Sequence, residues 1–404
     1  MILIGFFLWI SVLCLLHSYL FYPLLLKWLT KNKPNNSLVY NKQDTLPSVV
    51  FLMSLYNEEK VIVQKLNSLL ASDYPRDKLS VFIGSDCSED QTNTLVEDFV
   101  AEHAWIHFFP YQTRSGKPGV INRLVRSATE HSSSKGEEPI LIISDANVML
   151  APNTIFELVK HFKNKAIGLV DSNIQNPHQK RTDAKGIAQS ETSYISREVF
   201  IKHMEGIAWG RTMGPLGGCY ALRAAMFEAV PPGFLVDDFY IAMKVFEKGG
   251  LAINELEALC YESSPQEIQE EFRRKTRISA GNFANLAMFK HLLWPPNSSL
   301  SFAFLSHKVL RWYGPFFILI SYLCTLLLAL VYDNTFYQVL GLLQTFALFG
   351  IPLLDWFFQQ LNLNVVLLRY ITYFNAMNLA LFNGFFKYLK GVQNGIWQPT
   401  KRDI

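Results

Sequence analysis

Hydrophobic and polar positions divide the chain into three parts. Residues 4–26 (IGFFLWISVLCLLHSYLFYPLLL) carry no charge. At about 1.5 Å per helical residue this stretch reaches across a bilayer, which predicts a first transmembrane helix. A cleaved signal peptide is the competing reading, but the stretch has no basic leader, is too long for a signal core and lacks a small-residue cleavage site. At the other end, residues 312–331 and 335–354 predict two further spans separated by Tyr332, Asp333 and Asn334. A third apolar stretch, 364–386, contains Arg369 and leaves the number of C-terminal crossings open. Trp294, Pro295 and Pro296, and the mixed segment up to Trp312, read as an interfacial connection with aromatic anchors.

The middle of the chain alternates between two periods. Residues 47–55, 79–84, 140–143 and 167–170 are short apolar runs that predict buried strands, and 58–70 places Val61, Ile62, Leu66, Leu69 and Leu70 on one helical face. Strands alternating with helices imply an α/β fold with a mostly parallel sheet covered on both faces. Such sheets bind ligands at the carboxyl ends of their strands.

Charge follows the same division. The chain has 404 residues, 18% of them charged, yet no charge precedes Lys27 and only nine fall beyond residue 309. Lys27, Lys31 and Lys33 follow the first span directly, which by the positive-inside bias places the middle section in the cytoplasm of a cell whose inner (plasma) membrane holds the ends. Five Cys with no CxxC spacing fit a reducing compartment and argue against a zinc site or a disulfide framework. A net charge of +3 without a dense basic run gives no reason to expect nucleic acid as a partner.

Candidate chemistry sits where strands end. Tyr56, Asn57 and Glu58 follow the first strand, Asp86 and Ser88 the second, and Asp145 and Asn147 the third. Each has a structural reading as a helix cap or turn residue. Three carboxylate-bearing strand ends on one sheet edge favour a site instead.

The order of segments resembles the family 2 glycosyltransferases of the GT-A fold, in particular membrane-embedded members related to cellulose, hyaluronan and poly-N-acetylglucosamine synthases. The carriers are SLYNEE (54–59), LLASDYPRDKLSVFIGSDCSED (69–90), RSGKPGVIN (114–122), SDAN (144–147), GPLGGCYALR (214–223), VDDFYIAMKVFEKG (236–249) and RRKTRISAGN (273–282). The resemblance implies an N-terminal transmembrane helix (1–27), a cytoplasmic Rossmann-like GT-A domain (28–300), and an interfacial segment with C-terminal transmembrane helices (301–404). It implies that Asp145 is the first Asp of a DxD motif binding Mg²⁺ or Mn²⁺, with Asn147 in place of the second. Asp238, beside Asp237, takes the position of the base that deprotonates the acceptor. Tyr56, Asn57, Glu58, Asp86 and Ser88 take the nucleoside-holding positions, Lys117 contacts base or phosphates, and Gly217 and Gly218 form an acceptor-side loop.

Arg274 and Arg277 fall in the QxxRW segment as diphosphate-binding residues, with Arg274 in place of the Gln and Ile278 in place of the Trp. That Trp is the polymer-stacking platform of processive synthases, and Ile278 weakens the case for polymerisation. The expected activity is inverting transfer from a nucleotide sugar, UDP-linked, to a polysaccharide or glycan acceptor. Alternatives are transfer of one sugar to a polyprenyl-phosphate or other lipid acceptor, and a non-catalytic nucleotide-sugar-binding partner of export-complex proteins. An acceptor-side base argues against the last.

Overall fold

The computed structural model describes residues 1–133, 138–176, 187–262, 268–332, 334–361, 363 and 365–391. Asp333, which separates the two expected C-terminal spans, lies outside them. The described residues divide into two compact units, one formed mainly by residues 30–176 and 195–262, the other by residues 1–29 and 268–391.

The first unit is built on an eight-stranded sheet. Its strands are β1 (Val49–Leu55), β2 (Leu79–Asp86), β3 (Ile106–Tyr111), β4 (Ile140–Ser144), β5 (Met149–Leu150), β6 (Ile167–Gln175), β7 (Cys219–Arg223) and β8 (Leu251–Tyr261). They lie in the order β3-β2-β1-β4-β7-β6-β8-β5. β1 runs parallel to β2 and β4, with Val49 opposite both Leu79 and Ile140, and β6 runs parallel to β8. The expected mixed α/β architecture, mostly parallel, is present. Phe51, Met53, Leu55, Ile83, Ile142, Val170 and Ile253 form part of one buried core, so burial of apolar strand faces holds the sheet to its helices.

Two features of this sheet position the site. β1, β2 and β4 end at the same edge, with Leu55 opposite Ser85 and Met53 opposite Ser144. β7 enters antiparallel between β4 and β6, pairing Cys219 with Ser144. This reversal puts Gly218 beside Asp145, whose N–H donates to the Gly218 carbonyl at 2.9 Å.

The second unit is helical. Among the described residues three helices are long and apolar enough to cross a membrane: Ile2–Leu29, Gly314–Val331 and Thr335–Gln360. The helix Val366–Leu389 is bound to its neighbours by polar contacts. Arg369 Nε lies 3.2 Å from Asp355 Oδ1, and Asn375 donates to the Ala347 carbonyl at 2.9 Å. Gly384 lets this helix approach Ile268–Phe289, where Ser279 Oγ donates to the Leu381 carbonyl at 2.8 Å. Arg311, at the foot of Gly314–Val331, is buried and donates to Ser18 Oγ at 3.3 Å. Charged groups kept inside an apolar helix unit are held by such pairing.

Candidate active site

The loops after β1 and β2 are laced together by their own polar groups. Asn57 has φ +53°, a left-handed conformation that Asn tolerates better than most residues. Its N–H donates to Ser88 Oγ at 3.2 Å, and its Oδ1 accepts from Glu89 N–H at 2.9 Å. Glu58 N–H donates to Thr92 Oγ1 at 2.8 Å. These bonds fix the backbone that carries Tyr56. The Tyr56 ring in turn has the Arg114 guanidinium 3.4 Å from its centroid, a stacked cation–π contact.

Asp86 closes β2 and is buried. Its Oδ1 accepts from Ser115 N–H at 2.7 Å and its Oδ2 from Gly116 N–H at 2.9 Å, with Arg114 Nε 3.7 Å away. The carboxylate thus serves the start of the helix Gly116–Ser133, whose dipole favours a negative charge there. Oδ1 also accepts from Ser115 Oγ at 3.3 Å, so remaining acceptor capacity for a ligand N–H lies on Oδ2.

That helix start delivers Lys117 into an acidic cluster. Lys117 Nζ lies 2.6 Å from Asp145 Oδ1 and 3.9 Å from Asp237 Oδ2. Burial works against its charge, but Asp145, Asp237 and Asp238 outweigh burial and hold the ammonium above its ordinary pKa. Asp237 and Asp238 occupy the first turn of the helix Asp237–Glu247. Asp237 is buried and its Oδ2 has no hydrogen-bond partner. Asp238 Oδ1 accepts from Phe239 N–H at 2.7 Å. Burial, reinforced by the charge of Asp237 and opposed by Lys117, pushes the Asp238 carboxyl up to about 6.

The glycine loop backs this pair. Gly217 has φ +88°, and a Cβ there would stand 2.5 Å from Asp238 Oδ2. Gly217→Ala therefore strains the backbone and drives the Asp238 carboxylate out of place. Because a displacement on the 1 Å scale can cost about 100-fold in rate, turnover is expected to fall by about tenfold or more with thermal stability changed far less. Steady-state kinetics alongside a melting curve checks this, and unchanged turnover would separate the loop from the carboxylate. Gly218 is equally confined, by Ile174 at 2.6 Å and Val148 at 2.9 Å from its notional Cβ. Asn147 Nδ2 donates to Glu262 Oε1 at 3.0 Å, which turns its amide oxygen into the group available to a ligand.

Arg274 and Arg277 lie on Ile268–Phe289 in the helical unit, together with Ile278. Arg274 Nη1 stands 3.5 Å from Glu271 Oε2 of the same helix.

Three buried ionisable residues near these groups escaped the sequence reading. Asp171, fully buried in β6, accepts from Leu216 N–H at 3.4 Å and has Lys202 Nζ 3.9 Å away; burial pushes its carboxyl up to about 7 despite that lysine. Its signal was available, since it directly follows the apolar run 167–170. Lys202, inside a helix, gave none. Lys65 is wholly buried, and burial lowers its pKa. It stands among Ile62, Leu66 and Leu69, the spacing of the apolar face itself.

Among the described residues no group of three or more acidic, His or Cys side chains is arranged around a metal position. Asp145 holds Lys117 instead. The residues nevertheless fit a cation: Asp237 Oδ2, buried and without a hydrogen-bond partner, is a hard-oxygen donor beside Asp145 and Asp238.

Two family models cover the chain, glycosyl transferase family 2 over residues 50–228 and glycosyl transferase family group 2 over residues 140–386. A poly-beta-1,6-N-acetyl-D-glucosamine synthase of Staphylococcus epidermidis is 25% identical over 167 residues, 38% of each chain. The poly(ribitol-phosphate) beta-N-acetylglucosaminyltransferase TarS of Staphylococcus aureus is 37% identical over 94 residues, 23% of this chain and 15% of that one. The matched region thus spans well under two thirds of these relatives' own length. In structure the chain is similar to a mannosyltransferase from Pyrobaculum calidifontis solved with GDP-Man and Mn²⁺, with a TM-score of 0.64, 20% identity, and coverage of 95% of this chain and 99% of that one. That likeness shows the GT-A fold. The second family model alone spans more than half of the sequence, from β4 into the last described helix, and the chain belongs to the family 2 glycosyltransferases.

Proposed function

We propose that this glycosyltransferase is an integral membrane enzyme of the inner (plasma) membrane. In this reading its cytoplasmic site transfers a hexose unit from a UDP-sugar, with inversion, to a glycan or lipid-linked acceptor at the membrane surface. The observation that carries this reading is that Lys117 joins Asp145, at the donor-side strand end, to Asp237, whose neighbour Asp238 has a carboxyl raised to about 6. A carboxylate of that basicity can take a proton from a sugar hydroxyl near neutral pH. The three apolar helices, and the lysines that follow the first, support the membrane and its orientation.

In the transfer, Asp238 removes the acceptor's hydroxyl proton as the acceptor oxygen attacks the anomeric carbon. The bond from that carbon to the diphosphate oxygen breaks on the opposite face, which inverts the configuration. Negative charge grows on the departing nucleoside diphosphate, and Lys117 is placed to compensate it. Tyr56, Asn57, Glu58, Asp86 and Ser88 hold the nucleoside side; Asn147 offers its amide oxygen to the sugar or ribose. Arg274 and Arg277 would serve the diphosphate, as residues of the family's basic segment. Asp145 and Asp237 would hold a divalent cation, Mg²⁺ or Mn²⁺, which when bound supplies further charge compensation for the leaving group. The small residues at 217 and 218 let the loop on the acceptor side pack directly against Asp238 and the core. Ile278 favours a second reading of the product: without an aromatic platform, addition stops after one or a few sugars, as on a lipid-linked acceptor.

The purified chain, incubated with a panel of UDP- and GDP-sugars with and without Mn²⁺, tests the assignment by release of free nucleotide. Expected is Mn²⁺-stimulated release from a UDP-sugar. Release from GDP-mannose alone would overturn the donor class, and equal release in chelator would overturn the role of the cation.

A further inference from the structure

Lys65 is out of keeping with its surroundings. It lies on the helix Ile62–Leu70 where an apolar residue would complete the stripe of Ile62, Leu66 and Leu69, and it is fully buried. The ammonium stands 5.2 Å from the centre of the Phe51 ring, and among the described residues it forms no ion pair with a carboxylate. An unpaired charge in the core is costly, and a Met of similar length would fill the same space without that cost.

Its bonds show what the amino group does. Lys65 Nζ donates to Ser144 Oγ at 2.8 Å and to the Val148 carbonyl. Those two residues bracket the turn that carries Asp145 and Asn147. Ser144 Oγ in turn donates to the Gly218 carbonyl at 2.9 Å, the same oxygen that accepts from Asp145 N–H at 2.9 Å. One buried amino group therefore clasps both ends of the donor-side turn. Through a single hydroxyl it also ties that turn to the loop whose Gly217 lies against Asp238.

We propose that Lys65 is a positioning residue for sugar transfer, holding the 144–148 turn and the glycine loop at the separation the reaction requires. The inference rests on the reading of Asp145 as cation ligand and Asp238 as base. It adds that the distance between the two halves of the site is set from beneath the sheet edge by a residue that touches neither substrate.

The test compares purified full-length wild type with Lys65→Met, Ser144→Ala, Asp145→Asn and the two doubles that include Asp145→Asn. Mn²⁺ affinity without donor, kcat and KM for nucleotide release, and melting temperature are measured for each. Groups that orient metal ligands typically carry about 10–100-fold in affinity or activity, and Lys65→Met is expected to lose that much in Mn²⁺ affinity and kcat while melting no lower than wild type. Residues acting through one another are non-additive, so in the Asp145→Asn background the further loss should be under about threefold. A fully additive loss, or unchanged Mn²⁺ affinity and kcat in Lys65→Met, overturns the proposal. Should Lys65→Met fail to fold, Ser144→Ala tests the same clasp from its other end, with the same non-additivity expected and full additivity again the contrary result. If wild type and Asp145→Asn bind Mn²⁺ equally, it is the cation reading of Asp145 that fails; if they differ and Lys65→Met matches wild type, Lys65 alone is excluded.

Discussion

Asp238→Asn is expected to lower sugar transfer by about 100-fold or more, the scale of general-base catalysis, while donor affinity in the presence of Mn²⁺ changes little. The amide keeps the shape and can still accept from Phe239 N–H, so what is lost is the proton acceptor. The wild-type profile carries a second signature. With its carboxyl raised by burial and by Asp237, Asp238 is a base that protonation disables, so kcat/KM should fall on the acid side, at a pH lowered from about 6 by the cation on Asp145 and Asp237. In Asp238→Asn that limb should disappear from the residual rate. Stability moves the other way. A folded-state pKa raised above the unfolded value contributes stability that is present below about pH 4 and lost as pH rises through about 6. At neutral pH the ionised carboxylate is thus a burden on the fold, and the amide variant should melt no lower than wild type. An unchanged transfer rate would remove Asp238 as the base and move that role, in place of cation binding, to Asp237, whose Oδ2 has no hydrogen-bond partner.

The legible parts of the molecule were those where one physical requirement dominates a stretch of residues. β1, β2, β4 and β6 are apolar runs buried on both faces, and their pattern was sufficient to locate them. β3 gives no such signal, because its Ile-His-Phe-Phe-Pro-Tyr sequence suits an edge strand, where Pro110 and a half-exposed face are tolerated. β8 carries Asn254, Glu255 and Glu257 in its middle and looks like a polar loop. Asn254 is buried there because its amide bridges to the Ser172 carbonyl at 2.8 Å, a long-range contact that no local pattern announces. The same contrast holds in the site. Asp86, Asp145, Asp237 and Asp238 stand at strand ends or in a helix's first turn, where the fold class alone directs attention. Lys65 and Lys202 are buried lysines inside helices, and the partners that explain them come from distant strands.

The pair of Lys117 with Asp145 leads to the prediction with the most specific direction. The ammonium compensates three carboxylates at once, and its hold on Asp145 competes with any cation seeking that oxygen. Lys117→Met removes the competitor and leaves the acidic cluster bare, so Mn²⁺ affinity measured without donor should rise. Transfer should nevertheless fall by about 10- to 100-fold, because a charge-assisted contact worth about 1.5–3 kcal/mol is no longer there to compensate the departing diphosphate. Asp145→Asn has a different pattern: Mn²⁺ affinity and transfer fall together, and raising Mn²⁺ recovers part of the rate. Opposite signs for metal affinity and the same sign for turnover would place both residues at one position, with the lysine yielding the carboxylate as donor binds. If Lys117→Met instead weakened Mn²⁺ binding, the ammonium would be a support for Asp145 rather than its competitor.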